Sequence, residues 1–218
     1  MKSGLVFFVV LISVYGITFA QTEDYYPLNI GNYWVSGSVP INESDFQQRI
    51  ETQTVEKNEK VNGNECSKID SKKSEAGEAY WSHWIGKDEG GNIVEYAFGT
   101  EKWILTDWKP PHIIIPKDIS QGKTWENRVE GYTDVYPDSV FYAVHSYQVE
   151  SIDETVTVPA GTFENCLKIR GIIRNYEGET DTILVIYYAK GIGRIKKIIE
   201  RPDGDDFKSE LIEYKIVK

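Results

Sequence analysis

The chain of 218 residues is poor in the groups that most site chemistry needs: it holds three His and two Cys. Two Cys are too few for a disulfide scaffold, and without a Cys-x-x-Cys pair there is no zinc-ribbon site. No His-Glu-x-x-His segment and no closely spaced His pair occurs, so no metal site and no cofactor are predicted. No Gly-x-Ser-x-Gly elbow marks a hydrolase nucleophile. Basic residues are also short, with 24 Lys and Arg against 34 Asp and Glu and a net charge of −10. Nucleic acid is therefore excluded as a partner, since phosphate binding needs clustered Lys and Arg. After the first 20 residues no apolar run approaches a membrane span, and no long stretch places apolar residues at helical spacing.

What is present begins with a leader. Lys2 supplies a positive start, Leu5 to Tyr15 is an almost unbroken apolar run, and Thr18-Phe19-Ala20 ends in a small residue. This pattern predicts a signal peptide over 1–20, cleaved before Gln21. The expected location is exported: periplasmic, outer-envelope associated or extracellular. Disulfides persist in such compartments.

The remaining chain reads as strands. Period-two alternation runs through Gln53-Thr54-Val55-Glu56, Ser151 to Val158 and Lys168 to Arg174. Gly, Asn, Asp and Pro clusters divide these runs at Asn62-Gly63-Asn64, Asp88 to Asn92, Pro159-Ala160-Gly161 and Asp203-Gly204-Asp205. The fold class predicted is all-β, a curved antiparallel sheet or incomplete barrel.

The sheet is expected to consist of two similar β-meander halves, 21–109 and 110–218, packed as one unit. Pro27 to Trp34 answers Pro116 to Trp125, each with Trp three residues after a Gly. Val61-Asn62-Gly63 leading to Cys66-Ser67-Lys68-Ile69 answers Val158 to Gly161 leading to Cys166-Leu167-Lys168-Ile169. Tyr80-Trp81 and Gly91-Asn92-Ile93 answer Tyr187-Tyr188 and Gly193-Arg194-Ile195. Pro110-Pro111, between Trp108 and His112, reads as the connector, because a Pro pair does not fit a central strand.

Three segments carry a family resemblance. Tyr25-Tyr26-Pro27-Leu28 through Gly31 and Trp34, the hairpin Val156 to Ile169 with its Val-Pro-Ala-Gly-Thr-Phe core, and Tyr187-Tyr188-Ala189-Lys190-Gly191-Ile192-Gly193 resemble the TapB-type group of exported bacterial β-rich proteins of unknown function. Lys190 replaces the Pro usual there. The resemblance implies a bacterial envelope or secreted location and a curved antiparallel sheet. It brings no catalytic residues.

The aromatic excess supplies the candidate site. Among 14 Tyr, 8 Phe and 6 Trp, the residues Trp81, Trp84, Trp103 and Trp108 fall within one short stretch. Alternation sends Trp81 and Trp84 to opposite faces, so one of the pair is core and the other more exposed; Trp103 and Trp108 share the odd separation. These four are the candidate ligand-binding residues, suited to sugars, lipid tails or an apolar polypeptide. His83, His112 and His145 lie in different segments and read as surface or hydrogen-bonded structural residues. Asp134, Asp138, Asp153 and Glu154 read as a solvated acidic face. Cys66 and Cys166 occupy equivalent places in the two halves, either as a disulfide or as two buried free thiols.

The function expected is a non-catalytic exported binding or envelope-associated module, its partner an apolar small molecule, a glycan or an envelope protein. The alternatives are an envelope hydrolase with an acidic site and a purely structural surface protein. An aromatic pocket without an acid pair favours the first, two converging carboxylates the second, and a filled interior the third.

Overall fold

The computed structural model describes residues 25–42, 47–73, 79–100, 104–132, 140–175, 181–202 and 204–217. The expected signal peptide, Trp103, Asp134 and Asp138 lie outside them. Twelve strands follow one another: β1 Tyr33–Pro40, β2 Arg49–Val61, β3 Asn64–Lys73, β4 Ala79–Lys87, β5 Ile93–Gly99, β6 Ile104–Ile115, β7 Thr124–Tyr132, β8 Val140–Val158, β9 Gly161–Asn175, β10 Asp181–Ala189, β11 Gly193–Glu200 and β12 Phe207–Lys215. Each strand is antiparallel to its chain neighbour, and β1 pairs with both β2 and β12, so the sheet closes into a barrel. Among the described residues the β6–β7 join has the fewest pairs, Asp107, Trp108 and Lys109 with Tyr132, Gly131 and Glu130.

The turn chemistry seen in the sequence makes the hairpins. Between β2 and β3, Asn62 has φ 51° and Gly63 φ 83°. Positive φ at both centres of a two-residue loop matches the right-handed strand twist, and Asn-Gly accepts it at least cost. The Asp88 carboxylate accepts from the Asn92 backbone N–H at 2.8 Å and so holds the β4–β5 turn.

Strands β1–β3 and β7–β9 pair in a corresponding register. The Val55 carbonyl accepts from Gly31 N–H (2.9 Å) while its own N–H donates to Asn32 O; Val149 does the same with Gly122 (2.8 Å) and Lys123. A bulge follows each valine, after which β3 carries Ile69 opposite His83 and β9 carries Ile169 opposite Ile186. The register aligns Trp84-Ile85, rather than Tyr80-Trp81, with Tyr187-Tyr188, since Ser67 pairs with Ile85 as Leu167 does with Tyr188. The Pro pair does not connect two halves as the sequence reading expected. It lies inside β6, where pairing passes from Asp107–Ala97 to His112–Glu95 and leaves 108–111 as a bulge. A bulge is where a strand tolerates residues that cannot donate.

One end of the interior is packed with Val55, Ile69, Ile85, Val149, Leu167, Ile169, Leu184 and Tyr188, and the segment holding Tyr25, Tyr26 and Leu28 packs against them. Each fully buried aliphatic side chain contributes about 1.5–3 kcal/mol. On the opposite face of the wall a smaller cluster forms from Val61, Cys66, Trp84, Val94, Tyr96 and Ala97. The outer wall elsewhere carries charge in mid-strand: Glu150 with Lys168 (2.9 Å) and Arg170 (3.8 Å), and Glu210 with Lys196 (2.9 Å) and Lys208 (3.1 Å). A lipid-facing band is apolar at such positions. Among the described residues no helix is long and apolar enough to cross a membrane.

Candidate functional site: a two-chamber lumen

A small eight-stranded barrel is filled by its own side chains, and diameter grows with strand number. Twelve strands leave space. An outer chamber of about 450 Å³ is lined by Arg49, Glu51, Trp81, Phe98, Arg201 and Phe207 among others. A deeper chamber of about 180 Å³ is walled in part by Ile69, Ile85, Ile114, Ile169, Leu184 and Ile186 and in part by polar and aromatic side chains. Gln53, His83, Arg194 and Lys197 line both, so the two adjoin.

Alternation explains most of the lining: 49, 51 and 53 of β2 and 81, 83 and 85 of β4 share the inward face. Two bulges explain the rest. Pairing of β4 with β5 jumps from Ala97 to Glu95, and pairing of β10 with β11 jumps from Lys196 to Arg194. Each jump lets residues three apart point inward, Glu95 with Phe98 and Arg194 with Lys197.

Glu95 links His83, which lines both chambers, to His112 of the deep chamber, and His145 stands behind His112. Glu95 Oε1 lies 2.6 Å from His83 Nδ1, and Glu95 Oε2 accepts from Trp108 Nε1 at 2.9 Å. His112 Nε2 lies 3.1 Å from His145 Nδ1 and 3.2 Å from the Tyr147 hydroxyl. The His112 and His145 rings meet edge-on, with centroids 4.9 Å apart. Burial raises the Glu95 carboxyl, but His83, His112 and Trp108 outweigh it and hold the group below its ordinary range. Burial lowers His112, and burial together with His112 pushes His145 down to about 4. At neutral pH the site holds a charged carboxylate beside two neutral imidazoles.

Across the lumen the charge is positive. Arg194 Nη2 donates to the neutral amide oxygen of Gln53 at 3.1 Å. Burial, with help from Arg194, pushes the Lys197 amine down to about 8. Arg201 lies over the Phe207 ring at 5.4 Å, at the outer rim.

Among the described residues the hydrogen bonds of the three His run to Glu95, to Tyr147 and to one another, and no nucleophilic Ser, Thr or Cys joins them. Among the described residues Glu95 is the one carboxylate lining the deep chamber. Asp153 is exposed on β8 and accepts from Ser151 at 2.7 Å. Among the described residues no group of three or more His, Cys, Asp or Glu is placed to hold a metal ion.

Of the Trp residues singled out from sequence, two reach this site. Trp81 lines the outer chamber and packs on Phe98, ring centroids 4.7 Å apart. Trp108 reaches Glu95 and lies 5.7 Å from the His112 ring. Trp84 is buried on the opposite face, where its Nε1 donates to Glu59 at 2.5 Å, so it is a core residue. Trp103 falls outside the described residues. Cys66 and Cys166 are both free and buried, and they belong to different clusters, so the bond considered from their equivalent positions is not made. Sequence reasoning missed Glu95, Arg194 and Lys197 and left the three His unconnected. The available signal was that His83 shares the inward face with Trp81 at a spacing of two.

No protein-family model matches the chain, and no curated protein matches it. Two solved structures are similar to it. One is a provisionally named lipoprotein from Parabacteroides distasonis ATCC 8503, 12% identical, with a TM-score of 0.49 over 88% of this chain and 98% of that one. The other is a provisionally named exported protein with a YmcC-like fold from Bacteroides fragilis NCTC 9343, 12% identical, with a TM-score of 0.44 over the same shares.

Proposed function

We propose that the protein is an exported, non-catalytic binding module that holds a small amphipathic molecule in its barrel lumen. The observation that carries this reading is the pair of adjoining chambers, with Trp81, Phe98 and Phe207 in the outer one and aliphatic side chains in the wall of the deeper one. Sites for small molecules are concave, mostly apolar, and a few hundred cubic ångströms in volume, with a few placed polar groups. A purely structural protein has no use for a hollow interior, because unfilled volume forfeits packing. A glycosidase-type acid pair needs a second carboxylate free to act beside the first, and both oxygens of Glu95 are already hydrogen-bonded. The leader-like segment 1–20 and the resemblance to TapB-type exported proteins support the exported location.

Native mass spectrometry of the protein purified from its own cells tests the proposal. A mass above that of the chain, lost on denaturation, is expected. A bare chain together with no uptake of the neutral probe N-phenyl-1-naphthylamine overturns the reading.

A further inference from the structure

The lumen is chemically lopsided, and the register shows how. Glu95 pairs with Ile85 across one bulge, and Arg194 pairs with Tyr188 across the matching bulge of the other six strands. Corresponding positions thus carry opposite charges. The two are not treated alike. Glu95 has a partner for each oxygen, His83 and Trp108. Arg194 has an uncharged one, Gln53, and among the described residues no carboxylate lies within ion-pair distance of Arg194 or Lys197. The next inward position repeats the contrast, with Phe98 on one wall and Lys197 on the other.

Two inward cations with no carboxylate at ion-pair distance are costly in a low-dielectric space, since a charge removed from water needs a paired charge or hydrogen-bonding partners. The surplus stands out because the whole chain carries −10. The charged and titratable groups that act on Lys197 are Arg194, Glu51, Glu95 and Arg201, and the two arginines add to the excess. Facing this wall across the outer chamber are the rings of Trp81 and Phe98.

Resting on the binding reading above, we infer that Arg194 and Lys197 form the recognition site for an anionic head group, a carboxylate or a phosphate, whose apolar body lies against Trp81 and Phe98 in the outer chamber. A guanidinium presents several donors in a planar fork and the ammonium adds a mobile point charge, a combination that suits an oxyanion. The capped carboxylate of the opposite wall repels an anion and leaves the cationic side as its seat.

Two naphthylamine probes with nearly the same rings separate the claims. 1-Anilinonaphthalene-8-sulfonate carries a negative charge, and N-phenyl-1-naphthylamine is neutral. In fluorescence titrations the anionic probe is expected to bind at least about tenfold more tightly, the scale of one well-placed charge interaction. Arg194→Gln and Lys197→Gln should each weaken the anionic probe more than the neutral one, so that the ratio of the two affinities falls toward one. Dodecanoate and dodecyl phosphate, added as competitors, identify which head group is preferred, and dodecanol should compete poorly. Equal binding of both probes, equal competition by dodecanol, or parallel loss of both probes in the variants overturns the head-group site. Failure of both probes to bind the unmodified protein overturns the binding reading itself.

Discussion

Glu95 and Arg194 occupy the same register position in the two six-strand halves of the barrel, each beside a bulge and each inward-facing. One is held by His83 and Trp108 and the other is left to a neutral amide. The first member stabilises the wall; the second gives the lumen its polarity.

The histidines make stability depend on pH. The His145 imidazole has a folded value of about 4 against an ordinary 6.5, so the unfolded chain binds the extra proton in between. Stability therefore falls as pH drops from 6.5 toward 4 and this contribution levels off below that, at a total on the order of 3 kcal/mol. His112, also lowered, acts in the same direction. Urea unfolding at pH 7 and pH 4.5 measures the loss. His145→Gln should shrink the difference between the two pH values, and an unchanged difference contradicts the assignment.

Lys197 sets the opposite dependence for ligand. Its amine is charged below about 8, so affinity for an anionic probe should be full at pH 7 and decline as pH rises through 8 toward 9. Neutral-probe affinity should not follow. The comparison uses the two naphthylamine probes in buffers of equal ionic strength.

Trp81 and Trp84 should separate binding from stability. Trp81→Ala removes the ring beside Phe98 and is expected to weaken neutral-probe binding by roughly 3–10-fold, the worth of one aromatic contact. Trp84→Ala empties a buried site on the other face and should cost about 3–5 kcal/mol while sparing lumen affinity in whatever protein stays folded. Paired urea and probe titrations read both effects.

Gly171 is the seat of the Tyr147 ring. A Cβ there meets Tyr147 Cε1 at 2.6 Å and Cδ1 at 2.8 Å. Gly171→Ala should therefore displace the ring, loosen its contact with His112 and cost about 1–3 kcal/mol. Thermal unfolding measures the cost, and an unchanged midpoint contradicts it.

Cys66 and Cys166 are free thiols whose burial pushes both up to about 11. Neither should react with a disulfide reagent in the folded protein, and both should react after unfolding. Mass spectrometry without reductant should give the dithiol mass. A mass lower by about 2 Da, the two hydrogens lost on forming a bridge, contradicts this.

Much of the wall was legible in the sequence because strands write a period of two and turns write Gly and Asn. The Cys-x-Lys-Ile segments and the two Trp residues after a Gly fall at matching places for the same reason. The β4–β10 correspondence was misplaced because Tyr80-Trp81 resembles Tyr187-Tyr188 in side chain, whereas register is set by backbone pairing and bulges. Pro110-Pro111 looked like a connector because a bulge inside a strand leaves no local mark that a loop does not share. The site was less legible. His83, His112 and His145 come from β4, β6 and β8, and only the curvature of the wall makes them neighbours. The inward aim of Arg194 together with Lys197 depends on a one-residue bulge that strict alternation forbids.

Ser209 lines the outer chamber between Ser38 and Lys197 in register, and it offers the most direct test of a ligand-holding lumen. Ser209→Trp fills the outer chamber from its wall, beside Lys197. Titration of the unmodified protein and of this variant with N-phenyl-1-naphthylamine, alongside urea unfolding of both, is the measurement. The account predicts saturable binding to the unmodified protein and its loss in a variant that still unfolds cooperatively. Equal binding by both proteins places the probe elsewhere and contradicts the account.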